Sequence, residues 1–138
     1  MIHIHHNSTD PAHGFHPDNP LSVAMPDVAP QPGEVVVIKQ GSSGFIGTGL
    51  EVLLRDGGFD KLVVVGGEAN RGVESTPRMA GNLGFVTSVV ADALVNFQRT
   101  RHDGVVVPPR DVLEMSLANL QSFARIVDSA QLLAEMQG

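Results

Sequence analysis

The chain has 138 residues, 42% of them hydrophobic, which suffices for one globular domain over residues 1–138, and with no cysteine it excludes disulfides, thiolate nucleophiles and thiolate metal sites together. Nine basic residues against fifteen acidic ones leave a net charge of -6, and the basic ones are scattered, so nucleic acid is not an expected partner. No apolar run approaches the roughly 20 residues that span a bilayer, and residues 1–6 lack the basic-then-apolar layout of a signal peptide, so a cytoplasmic protein with no membrane contact is expected.

Residues 1–6 alternate Ile2 and Ile4 with His3 and His5, the period of an extended strand. Residues 7–34 hold six of the nine prolines and few aliphatics, which predicts a long ordered loop. Residues 35–38 form a compact apolar run suited to a buried strand ending at Lys39. Thr48 can cap a helix whose Leu50, Leu53 and Leu54 share one face and which Gly57 and Gly58 stop. Residues 61–66, KLVVVG, read as a strand covered on both faces. A glycine-punctuated turn follows, then a helix ending near Leu83 with Gly84 as its stop; capping rules place Thr76 as its cap and Pro77 at its first position. Residues 85–91 are the next strand. Pro108 and Pro109 introduce a helix carrying Leu113, Leu117, Leu120 and Ala124, residues 125–128 form a last short strand, and Ser129 caps a terminal helix. Strands alternating with helices of about ten residues predict an α/β fold, a three-layer, mainly parallel sheet with helices on both faces. Ligands of such sheets bind beyond the carboxyl ends of the strands, here near His6, Lys39, residues 66–72 and Asp92.

Lys39 is one of two lysines. At a strand's carboxyl end its ammonium either stabilises an anion or snorkels into solvent, and position alone leaves both open. Residues 66–76, GGEANRGVEST, carry three glycines whose amides could approach an anion, or the stretch is an ordinary tight turn. His3 and His5 project from one strand face with a spacing that could suit a metal, yet no carboxylate pair accompanies them, and no metal or cofactor is expected. His6, at the strand end, is the better pocket candidate. Asp10 and Asp92 suit turn or helix capping.

Four segments, VIKQGSSGFIGTGLEVLL, KLVVVGGEANRGVESTPRMAGNLGF, VVADAL and SLANLQSFARIV, together resemble the isochorismatase-like hydrolase (cysteine hydrolase) superfamily from residue 1 to about residue 130. The specific pieces are the strand-end lysine, an SxF turn, a GxxxNxxVEST turn and a DA after the next strand. The resemblance implies a Rossmann-like six-stranded sheet, homo-oligomers, and hydrolysis of small amides, N-carbamoyl compounds or the vinyl ether of isochorismate by an Asp, Lys and Cys triad. Lys39 falls on the family lysine and Gly72 on the family cysteine, a glycine that family isochorismatases share. The family aspartate lies on a first strand that has no counterpart here; that strand belongs between those of residues 2–6 and 62–66. The resemblance also begins the helix at Gly72, where capping rules alone prefer a Thr76 cap, and implies a cis peptide between Gly67 and Glu68. A family threonine is Ala69 and a family alanine is Gly44, read as relaxed constraint on the pocket.

These readings give two expectations. One is a residual hydrolase of a small amide or vinyl ether, with Lys39 and the Gly72 turn at its catalytic centre. The other is a catalytically inactive, pseudoenzyme-like module that binds a small molecule or serves assembly. Under either, His6, Ser43, Phe45, Glu68, Asn70 and Arg71 line the ligand pocket. Unpaired backbone on two buried strands is costly, so the strands flanking the absent one are expected to pair directly or to be completed by another chain.

Overall fold

Short runs rich in β-branched residues become strands, and the leucine-bearing segment between Gly49 and Gly57 becomes the first helix. A computed structural model describes all residues, 1–138. β1 (Ile2–His6) is followed by the proline-rich loop, whose only regular turns are 3-10 turns at Pro20–Ser22 and Pro26–Val28. Then come β2 (Val35–Lys39), α1 (Leu50–Asp56), β3 (Lys61–Gly67), α2 (Gly72–Asn82), β4 (Val86–Val95), β5 (Arg99–Thr100), β6 (Val106–Val107), α3 (Pro109–Leu120), β7 (Arg125–Val127) and α4 (Ser129–Gln137). β1 pairs with β2 in parallel, from Ile2 opposite Val35 to His6 opposite Lys39. β3, β4 and β7 form a second parallel set in that order, and β5 and β6 a small antiparallel ribbon. No helix is long and apolar enough to cross a membrane.

The expected direct pairing of β1 with β3 does not occur: β1 bonds only β2, and β3 bonds only β4. The sheet is interrupted where the resemblance places the absent strand. The two halves are held instead through one core cluster, in which Phe45, Leu50, Leu54, Ala80 and Phe85 receive Ile2, Ile4 and Val37 from one half and Leu62 from the other. Phe45 and Phe85 stack with ring centroids 5.8 Å apart. A second cluster of Val73, Val89 and Leu120 joins α2 and α3 to β3 and β4.

Reading residues 61–66 as covered on both faces is also corrected. Leu62 and Val64 turn into the clusters, but Val63 and Val65 are 52% and 51% exposed, with Val36, Ile38 and Val86 likewise uncovered. Since successive side chains alternate across a strand, nothing in this chain packs on that face of β3.

Several boundaries follow hydrogen bonding rather than residue type. α2 begins at Gly72, where the resemblance starts it, and not after a Thr76 cap; the Thr76 hydroxyl instead accepts the amide of Gly44 across the fold. Asp128, not Ser129, caps α4, accepting the Gln131 amide at 2.7 Å. Ser129 instead donates its amide and its hydroxyl to Asp92, the capping role expected of that aspartate; Asp10 similarly accepts the Ala12 amide. α3 buries Val112, Ser116 and Leu120 and ends before Ala124; of the expected face, Leu120 is in the second cluster and Leu117 and Ala124 pack against it. Residues 99–107 had no strand expectation and form the small ribbon. Gly66 adopts a φ of +114 at the irregularity where the β3–β4 register shifts before resuming at Leu94, a conformation that only glycine takes readily.

Candidate active site

The parallel pairing of β1 and β2 sets His6 directly beside Lys39. From there Lys39 reaches over the turn that follows it, and its Nζ donates to the Gly41 carbonyl at 2.9 Å and lies 3.4 Å from His6 Nδ1. The ammonium is therefore held at the site, not released into solvent. Its other neighbour is Gly72: a Cβ built there would stand 3.6 Å from Nζ and 3.4 Å from the Ser42 carbonyl. The turn is pinned to α2 by the Gly44 amide on Thr76 and by the Ser42 and Ser75 hydroxyls, 2.6 Å apart. Gly44 is packed against Ile4, Leu50 and Thr76, so this position is tightly filled and not a sign of relaxed constraint.

No carboxylate lies within ion-pair distance of Lys39. Partial burial, with no anion to offset it, pulls its pKa below the ordinary lysine value. The His6 imidazole is also pulled down, first by burial, then by the charges of Lys39 and His13, with Arg71 adding a smaller push and the Gly41 carbonyl opposing them. His6 is thus neutral at pH 7.

The peptide between Gly67 and Glu68 is cis, as the resemblance implies. Beyond it, Glu68 is paired with Arg99, which also donates to the Asn70 side-chain oxygen at 3.3 Å, while Arg71 keeps a longer contact of 3.9 Å to Glu68. Ser43 is buried and its hydroxyl accepts the Phe45 amide; the Phe45 ring is in the core cluster. Of the residues singled out from sequence, His6, Lys39 and Gly72 therefore come together, with Arg71 near enough to His6 to act on its charge. Ser43 and Phe45 support the turn from below. Glu68 and Asn70 face Arg99, and Asn70 and Arg99 line a cleft of about 480 Å³ with Glu74, Asp111 and Ser116, which does not include Lys39. His3 is bonded to Glu34 at 2.8 Å and Asp92 to α4, so neither joins the site. Sequence reading missed His13, Phe15 and Arg99. His13 and Phe15 fold back over His6, with ring centroids 6.1 and 6.0 Å from it, because the Ser8 amide bonds the Phe15 carbonyl.

The Isochorismatase domain profile matches residues 2–131. The chain belongs to the isochorismatase family. It is 34% identical over 134 residues to an uncharacterized isochorismatase family protein, YrdC, of Bacillus subtilis, covering 96% of this chain and 72% of that protein. A solved structure of an isochorismatase-family protein from Chromobacterium violaceum has 45% identity and a TM-score of 0.92, covering 96% of this chain and 69% of that one. A maleamate amidohydrolase of Pseudomonas putida is 35% identical over 85 residues, 62% of this chain and 40% of that enzyme. The fold is accordingly the isochorismatase-like α/β fold, and each of these relatives is longer than the matched region.

Within this isochorismatase-family chain, a strand-end lysine is held against the first residue of α2 with neither a thiol nor a carboxylate beside it. Such an arrangement can offer positive charge and backbone N–H groups to an anion. It offers no side-chain nucleophile at position 72.

Proposed function

We propose that this chain is an isochorismatase-family hydrolase homologue whose chemistry is at most residual hydrolysis of a small amide or vinyl ether. In this reading Lys39 supplies the electrostatic group, and backbone amides of residues 66–72 stabilise the oxyanion that develops as water attacks. The observation that carries it is the Lys39 ammonium held 3.6 Å from where a side chain at Gly72 would begin. An amide as substrate class draws support from the name of the maleamate amidohydrolase relative. Without a thiolate no acyl-enzyme forms, so product should appear without a burst. Residues 1–138 place no carboxylate within ion-pair distance of Lys39, so they supply there no carboxylate proton transfer, a contribution of roughly 10² to 10⁴ in rate.

A second reading, an inactive module that binds a small molecule or serves assembly, is favoured by the lack of any carboxylate within ion-pair distance of Lys39. Homo-oligomer formation fits the free edges of β1 and β3 and the uncovered Val63 and Val65: a second copy would remove backbone and apolar surface from water together. One experiment separates the readings. Purified protein and Lys39→Met are assayed on a panel of amides, N-carbamoyl compounds and isochorismate, with thermal stability recorded for each compound. Turnover lost in Lys39→Met supports the hydrolase. No turnover, with stabilisation by one compound, supports the module.

A further inference from the structure

The chain carries a net charge of -6, yet one corner of the fold gathers several basic groups. Lys39 and His6 touch at 3.4 Å, His13 packs edge-on to His6, and Phe15 closes over both imidazoles. Each element packed on His6 contributes a basic group: β2 gives Lys39, the loop gives His13, and the turn before α2 gives Arg71. The acids on these elements are engaged elsewhere: Glu68 is committed to Arg99, leaving Arg71 only a contact of 3.9 Å, and Asp10, in the turn that carries His13, turns its carboxylate to the Ala12 amide.

Proton placement in the cluster follows from the contacts. An ammonium has no lone pair, so the 3.4 Å contact is a hydrogen bond with His6 Nδ1 as acceptor, and we assign the ring proton to Nε2 on that ground. His13 Nδ1 accepts the Phe15 amide at 3.1 Å, which places its proton on Nε2 as well. Both rings therefore present N–H donors from the edge opposite their internal bonds. Lys39 has three N–H donors and spends one on Gly41 and one on His6, leaving the third without a partner in the chain. Lys39 and His13 keep N–H donors without a partner in the chain, and His6, beside the Gly41 carbonyl, stands between them; three groups on three elements, all cationic or able to become so, match a ligand that brings only acceptors.

We propose that Lys39, His6 and His13 form a recognition site for the oxyanion head group of a small-molecule ligand, a carboxylate above all. This rests on the reading of the Lys39 turn as a ligand site, but it does not require that any bond be cleaved. Binding of a dianion restores charge balance around His6 and so draws a proton onto it. Affinity consequently rises as pH falls through the histidine range, and Glu68 opposes this only weakly because Arg99 neutralises it.

The test uses the whole chain with malonate, inorganic phosphate and the neutral malonamide as probes, read by calorimetry and by histidine NMR titration. Malonate has no bond that the proposed hydrolysis cleaves, so a failure of turnover and a failure of this site are read separately. The expected result is binding of malonate or phosphate at least tenfold tighter than malonamide, tightening at least threefold from pH 8 to pH 6, with the His6 titration moved upward on binding. The tighter of the two dianions identifies the head group. Lys39→Met should weaken it at least tenfold and His13→Gln at least threefold. Lys61→Met removes the same charge from the opposite end of β3 and should leave affinity within twofold of the unmodified chain. Malonamide binding within twofold of the dianions overturns the proposal, as does equal affinity in His13→Gln, a loop position away from both core clusters that can be read even if Lys39→Met does not fold.

Discussion

Replacing Gly72 by cysteine tests the field at the Lys39 turn directly. The new Cβ would meet the Ser42 carbonyl at 3.4 Å and Lys39 Nζ at 3.6 Å, ordinary contact distances, and Gly72 is not among the glycines with positive φ, so the side chain enters without strain. Its sulfur then lies on the order of 4 Å from the ammonium. Two unit charges at that separation interact by about 1 kcal/mol in water and about 4 kcal/mol at a near-surface effective dielectric. Lys39 is half-buried, so the working value lies between these, and the first turn of the eleven-residue α2 adds about 0.3–1 kcal/mol. At 1.36 kcal/mol per unit, the thiol should titrate roughly 2 units below the usual value of about 8.5. The assay is thiolate absorbance against pH, repeated in Gly72→Cys with Lys39→Met. A thiol near its ordinary value in the single variant, or the same value in both, refutes the reasoning. Gly72→Ala provides the structural control and should gain about 0.4–1 kcal/mol by restricting the unfolded chain; a loss would show that the turn cannot accept a Cβ.

Leu120 is 0% exposed between Val73 and Val89, so Leu120→Ala should cost about 2–5 kcal/mol in urea unfolding with an unchanged m-value; a loss below 1 kcal/mol would show that the α2–α3 cluster is loosely packed. The Glu34 carboxyl is pulled down to about 2 from 4.5, first by the Gln31 amide, then by His3, with the amino terminus adding to both. Because its folded value lies below the unfolded one, its stabilisation is complete above pH 4.5 and disappears as pH falls to 2. The stability difference between the chain and Glu34→Gln should therefore vanish over that window, and a constant difference would refute the assignment. Val63→Asp with Val65→Asp should lower the solution mass, measured by light scattering, if the uncovered face of β3 carries self-association; an unchanged mass in the double variant would place the contact elsewhere.

Where a run of β-branched residues sufficed, the fold was legible. Residues 61–66 could hardly be anything but a strand, and Gly58 and Gly84 each fall at a positive φ where a turn needs one. What escaped was set by partners distant in sequence. Thr76 looked like a helix cap, and its hydroxyl serves the Gly44 amide 32 residues away. The two-residue strands β5 and β6 are too short to show a period, so Arg99, which holds Glu68 and Asn70, had no signal. His13 and Phe15 lie in a stretch whose proline content predicted only a loop; their place over His6 depends on the Ser8 and Phe15 backbone bond.

The Lys39 corner and the interrupted sheet are consequences of one geometry. His6 ends β1 and Lys39 ends β2, so the site stands at the margin of the smaller sheet half, while Gly72 follows β3 in the other half. The distance between lysine and glycine is therefore fixed across the interruption by side chains alone: Ile2, Ile4 and Val37 meeting Leu62 in the Phe45 cluster, and the SSG turn tied to Ser75 and Thr76. Backbone pairing across this line would hold the two ends rigidly; packing holds them with the tolerance of a few rotamers. A ligand anchored on Lys39, His6 and the α2 amide end would bridge both halves. Its binding should then stabilise the whole fold, beyond the local turn, and raise the unfolding midpoint in proportion to occupancy.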